Sequence, residues 1–297
     1  MLHPQAEQAI ALWSAGPSCA DPGFGPADVA EVRRAALAEA GREPMEPVDR
    51  VEDVDAGGVR CRLHVPAGAD GTLVFLHGGG FVFGEVGTHD AQSRRLANRT
   101  GRAVLTVDYR RPPEHPFPAA PDDVDAALAW LRDAGAAAGL PTARLAVLGD
   151  SAGGNLALVA ALRHPGAFDA AVLVYPFLDP EQQAASYDEQ DNEALSAAEA
   201  RWYWQQYAAT PDDLRHPDLA PLRASSFAGL PPTLVQVAEH DVLVGEDLEL
   251  ARRIAADGGT VRTTTYPGMI HGFWRHPQLF DAAEQALAEA ADFLRGV

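Results

Sequence analysis

Residues able to perform acyl transfer together are spread over more than a hundred positions of this chain. Ser151 stands in Gly149-Asp150-Ser151-Ala152-Gly153. Ala143 to Leu148 before it reads as a buried strand, and Leu156 to Leu162 after it as a helix ended by His164-Pro165. A G-x-S-x-G turn between strand and helix presents its serine as a nucleophile, with the new helix aiming free N–H groups at the same spot. The alternative is a glycine-rich turn with a capping serine, so partners are required. A serine hydroxyl needs a base for its proton, an acid to orient that base, and donors for the oxyanion.

His271, within Pro267-Gly268-Met269-Ile270-His271-Gly272-Phe273, follows the last predicted strand, at the sheet end where the serine turn also opens. His276 is its nearest rival, while His77 is expected to prop a loop and His115 to belong to a turn. Asp241 closes the seventh predicted strand, which gives the chain order serine, aspartate, histidine. Glu239 and Asp247 are the other candidate acids. Asp247 is expected inside a helix that begins near Glu246, solvated at its N-terminal end. For the oxyanion, His77-Gly78-Gly79-Gly80-Phe81 follows the third predicted strand, and the expected donors are the N–H groups of Gly78, Gly79 and Ala152. The glycine run could instead cradle a phosphate, but Phe83 stands where G-x-G-x-x-G needs its third glycine. No H-E-x-x-H and no Cys/His cluster occurs, so metal catalysis is not expected.

These groups require a sheet whose strand ends converge. Val48–Val54 and Val59–Val65 read as a pair around Gly57-Gly58, and Thr72–Leu76 as a strand buried on both faces. Further strands are expected at Ala103–Asp108, Leu145–Leu148, Ala171–Tyr175, Thr233–Ala238 and Val261–Tyr266. Helices alternate with them at Asp90–Arg99, Pro121–Ala138, Ser151–Leu162, Glu246–Ala256 and Pro277–Leu294. The pattern predicts an α/β fold with an eight-stranded, mostly parallel sheet flanked by helices. Two segments lie outside it. Residues 1–45 carry helical patterns at Gln5–Ser14 and Pro26–Ala40, and residues 177–225 contain a helix at Ser196–Ala208. Residues 177–225 are expected to form an inserted helical cap, and residues 1–45 either a packing arm or part of a lid, beside a core of residues 46–176 and 226–297. The aromatics of Arg201-Trp202-Tyr203-Trp204-Gln205-Gln206-Tyr207 are expected to pack as cap core.

Lysine is absent, so all 23 basic residues are arginine, and the net charge over 297 residues is −19. Such a surface disfavours nucleic acid and anionic membranes and repels anionic substrates at long range. Cys19 and Cys61 are expected reduced. Neither a signal sequence nor a run of about 18 apolar residues is present, so a cytoplasmic protein without membrane insertion is expected. A homo-oligomer is left open.

Taken together, these motifs resemble the hormone-sensitive-lipase-like family of bacterial carboxylesterases, from about Thr72 to Phe273. The matching pieces are His77 to Phe81, Asp108-Tyr109-Arg110, Pro113 to Ala120, Gly149 to Asn155, Tyr175-Pro176, Gly229 to Pro232, Glu239-His240-Asp241 and His271-Gly272-Phe273. The resemblance implies an α/β-hydrolase whose helical cap is built from residues 1–45 and 177–225, and which cleaves short- to medium-chain carboxylic esters through an acyl-enzyme without a metal or organic cofactor. A small-molecule ester is the implied partner. It also implies Ser151 as nucleophile, His271 as base and Asp241 as acid. The sequence departs from the family at the acid, where Asp-Pro-Leu-Arg-Asp is usual and Asp241-Val242-Leu243-Val244-Gly245 stands. Deacetylation of a secondary metabolite, acyl transfer, or a non-catalytic ligand-binding role are the alternative readings.

Overall fold

A computed structural model describes residues 1–14, 18–192 and 194–297. Eight strands form one sheet: β1 Arg50–Asp55, β2 Arg60–Val65, β3 Thr72–Leu76, β4 Ala103–Val107, β5 Leu145–Asp150, β6 Ala170–Val174, β7 Thr233–His240 and β8 Val261–Ile270. Their spatial order is β1-β2-β4-β3-β5-β6-β7-β8. The β1–β2 and β2–β4 pairs are antiparallel and all others parallel, in agreement with the alternation read from the sequence. The helices are α1 Pro4–Trp13, α2 Pro26–Ala40, α3 Asp90–Thr100, α4 Ala119–Ala134, α5 Ala152–Arg163, α6 Ser186–Glu189, α7 Ala197–Tyr207, α8 Val244–Ala256 and α9 Asp281–Arg295. Among the described residues no helix is long and apolar enough to cross a membrane.

Every residue of β3, β4 and β6 is buried, as continuous runs of apolar and β-branched side chains require when helices cover both sheet faces. The two faces carry separate apolar clusters. One is sealed by α4, α5 and α7, the other by α3, α9 and residues of α1. Helix α5 is buried along Ala152–Ala161, so the element behind the serine has no solvated side over most of its length.

Three boundaries differ from the sequence expectation for local reasons. Helix α4 begins before Pro121, which sits in the first turn, where its missing N–H has no intrahelical partner to lose. Strand β8 runs on through Pro267 and Gly268 to Ile270, with a register shift against β7 between Ala238 and His240. A proline is tolerated because β8 is an edge strand, and Gly268 takes φ +71° at the irregularity. Helix α9 starts at Asp281 rather than Pro277, because the His276 carbonyl instead closes turns with the N–H groups of Leu279 and Phe280.

Segments 1–45 and 177–225 meet each other. Ser18 Oγ donates to Glu199 Oε1 at 2.7 Å, and Phe24 packs edge-on against Trp202 at 5.5 Å. Trp204 and Tyr207 of α7 are both fully buried, as aromatics that pack rather than bind a ligand would be. Tyr207 stacks on Phe81 at 3.7 Å and Trp204 on Phe177 at 4.2 Å. Burial of rings this size is worth about 2–3 kcal/mol each and fixes α7 against the sheet.

Candidate active site

Strand β5 delivers the chain into a turn at Ser151, whose φ of 55° and ψ of −119° lie where a residue with a side chain is strained. Hydrogen bonds hold it there. Ser151 N–H donates to Val174 O at 2.9 Å, and the N–H groups of Asn155 and Phe177 both reach Ser151 O at 3.1 Å. The Asn155 amide ties Phe177 O and Leu219 O together at 2.8 and 2.9 Å, which braces the turn from below. A Cβ on Gly153 would overlap the Leu76 carbonyl, so the helix can approach β3 this closely only without one.

The Ser151 Oγ lies 3.0 Å from His271 Nε2, and His271 Nδ1 lies 2.7 Å from Asp241 Oδ2. Asp241 is fully buried, and its Oδ1 accepts the Leu243 N–H at 3.0 Å. An acceptor at Nδ1 places the ring proton there and leaves Nε2 as a lone pair facing the serine hydroxyl. The three residues thus meet from β5, the loop after β7 and the end of β8.

The rival groups stand elsewhere. Glu239 Oε2 accepts the Gly268 N–H at 2.7 Å on the surface side of β8. Asp247 is not solvated as expected: it is fully buried, and neither of its oxygens has a partner among the described residues. That burial, with Asp241 and Glu246 nearby, raises its pKa well above the ordinary carboxylate range. His77 does prop the glycine loop. Its Nδ1 lies 3.0 Å from Gly78 O, its ring stacks on Tyr109 at 4.3 Å, and burial lowers its pKa to about 3. His276 is pushed down by burial to about 3 as well.

The expected oxyanion donors need one correction. Gly78 N–H donates to Asp150 Oδ1 at 3.0 Å and is therefore engaged. Among the described residues no acceptor meets the N–H of Gly79 or of Gly80, and Ala152 is the first residue of α5, where no intrahelical acceptor exists. Gly79, Gly80 and Ala152 thus present open donors, and Gly80 is the member that the sequence reading missed. Asp150 is itself buried, which raises its carboxyl to about 6 despite Arg275 and the Gly78 N–H.

A cavity of about 150 Å³ opens at Ser151, bounded by Gly79, Gly80, His271, Leu195 and Tyr203. The ring of Tyr203 of α7 lies against Gly80, so closely that a Cβ on Gly80 would overlap it. Nothing in the sequence marked Tyr203 apart from its aromatic neighbours; the buried faces of Trp204 and Tyr207 turn it towards the cavity.

A family model described as alpha/beta hydrolase fold matches residues 73–275. The chain is 35% identical over 293 residues to the esterase LipI of Mycobacterium tuberculosis, covering 91% of this chain and 89% of that one. It is 35% identical over 236 residues to an ethyl acetate hydrolase of Pseudomonas putida, covering 77% and 74%. A hyperthermophilic esterase of the archaeon Pyrobaculum calidifontis superposes with a TM-score of 0.89 at 34% identity, over 99% of this chain and 98% of that structure.

Proposed function

The chain belongs to the alpha/beta hydrolase fold family, and from that membership we propose a serine-dependent route in which Ser151 is the nucleophile, His271 the base and Asp241 the orienting acid. Its kinship with esterases makes it a carboxylic ester hydrolase. The observation that carries the residue roles is the unbroken relay from Ser151 Oγ through His271 to buried Asp241, at 3.0 and 2.7 Å.

Ser151 Oγ attacks the ester carbonyl as His271 Nε2 takes its proton, and the former carbonyl oxygen becomes an anion facing the N–H groups of Gly79, Gly80 and Ala152. Collapse of this intermediate expels the alcohol, which receives the proton from Nε2 and leaves Ser151 acylated. Water then attacks the acyl carbon, with its proton going to Nε2, and that proton returns to Ser151 Oγ when the acid departs. Asp241 keeps the Nδ1 proton in place throughout and balances the charge of the imidazolium. The small cavity supports short acyl groups as substrates, with Phe177, Ala194, Leu195 and Tyr203 of segment 177–225 forming the cap side of its wall.

Purified Ser151→Ala should remain folded and lose on the order of 10⁴ to 10⁶ in turnover of a short-chain 4-nitrophenyl ester. Asp241→Asn should lose about 10² to 10⁴, through the wrong imidazole tautomer, with KM little changed. Near-normal hydrolysis by Ser151→Ala would remove the nucleophile assignment.

A further inference from the structure

The cavity at Ser151 extends past His271 to a guanidinium. Arg275 lies four residues beyond the base, at the end of a short 3-10 turn that begins after Gly272, and it lines the same cavity as Ser151 and His271. Gly272 takes φ +82°, which folds the chain back so that both side chains face one space. One contact holds the Arg275 head: Nη2 donates to Thr88 O at 2.8 Å. Among the described residues no carboxylate comes within 4.0 Å of it.

A guanidinium carries five N–H donors, and among the described residues Arg275 makes one bond to protein. The nitrogens of Arg275 that bind no protein atom are not sealed in the interior, and the residue lines the cavity beside Ser151 and His271. The other basic groups on that side do not share its charge. Burial holds His276 at about 3 and His89 well below its ordinary value, so both are neutral. Asp150 is the nearby acid, and it spends Oδ1 on the Gly78 N–H rather than on Arg275. Arg275 and His276 also line an adjoining groove between α1, α2 and the segment after β8. Thus a lasting, forked cation stands in a reaction chamber of a protein whose net charge is −19.

We propose that Arg275 is a specificity residue that binds a carboxylate on the substrate, so that the preferred esters are short ones bearing a free carboxylate. This rests on the serine-esterase reading of the same site. A planar carboxylate matches the guanidinium fork, and within a confined cavity the pair is stronger than the same pair in water. The acidic surface opposes such substrates only at long range, over roughly a Debye length of 10 Å at 0.1 M salt. Inside the cavity the local cation governs.

Two matched pairs test this. Monoethyl succinate and ethyl levulinate place a carboxylate or its neutral acetyl counterpart on the acyl side. O-acetylglycolate and acetoxyacetone do the same on the alcohol side. In at least one pair, the ratio of kcat/KM for the anionic over the neutral ester should fall roughly 10- to 100-fold from wild type to Arg275→Met. Arg275→Lys should keep part of that ratio, since it retains charge without the fork. Equal losses on both members of both pairs would overturn the proposal and leave Arg275 as a tie to Thr88. Should Arg275→Met not fold, inhibition of the wild type decides: butyrate should bind about tenfold tighter than butyramide or better, and equal inhibition overturns the proposal. Failure of the serine reading is distinguishable, because Ser151→Ala would then still hydrolyse the neutral esters.

Discussion

At the scale of single residues, Asp247 has the plainest thermodynamic signature. Its folded-state pKa is raised far above the usual carboxylate value, so the folded protein keeps a proton that the unfolded chain releases. Stability from this group therefore falls as pH rises above the ordinary carboxylate pKa, until the raised folded value is reached. Asp247→Asn, which cannot ionise, should lose less stability than wild type as pH rises above the ordinary carboxylate range, as read by urea unfolding. Turnover by Asp247→Asn should stay within about threefold of wild type, since Asp241 and not Asp247 meets His271. A parallel pH slope in the two proteins would contradict the buried, partnerless state. Ser151, Asp241 and His271 were legible in the sequence because each follows a strand and the strand ends converge. The burial of Asp247 was not legible, because its location at the start of α8 fixes a turn of helix but not what covers it. The same holds for Gly78: its place in the glycine run was plain, but its bond to Asp150 depends on how β3 and β5 align.

Elements were legible where hydrophobic period and punctuation agreed. The buried runs of β3 to β7 and the helices between them follow directly from alternation with turns. Where Pro and Gly are tolerated for non-local reasons, as at the edge of β8, punctuation misleads: the strand continues beyond Tyr266 because β7 still offers it partners. Helix α7 was visible as an element, but its orientation was not. Trp204 and Tyr207 set that orientation by stacking on Phe177 and Phe81, and they carry Tyr203 over Gly80 as a lid on the cavity. Tyr203→Ala should therefore lengthen the chamber. With 4-nitrophenyl esters of graded length, the acyl length giving the highest kcat/KM should shift upward, with relative activity on longer chains rising roughly tenfold. An unchanged chain-length profile would place the acyl group away from α7.

On the scale of the whole molecule, composition described the far field and folding produced the near field. An excess of 42 acidic over 23 basic residues could be counted without a structure. That one arginine faces the serine required the turn after His271, which no composition records. The N-terminal helix is joined to this centre by a backbone bond: His3 N–H donates to Gly268 O at 3.0 Å, three residues ahead of the base. Trp13, the last residue of that helix, packs against His276 at 5.3 Å and Phe280 at 6.1 Å. This attachment bears on how the protein should be handled. An affinity tag or surface anchor fused ahead of Met1 would pull on the strand end that seats the imidazole, and turnover should drop roughly three- to tenfold. The same fusion after Val297 sits beyond α9, away from the reaction chamber, and should cost less than about twofold. Side-by-side assay of the two tagged forms decides the matter, and equal turnover would show that α1 is a passive attachment. For immobilisation the carboxyl end is the one to hold.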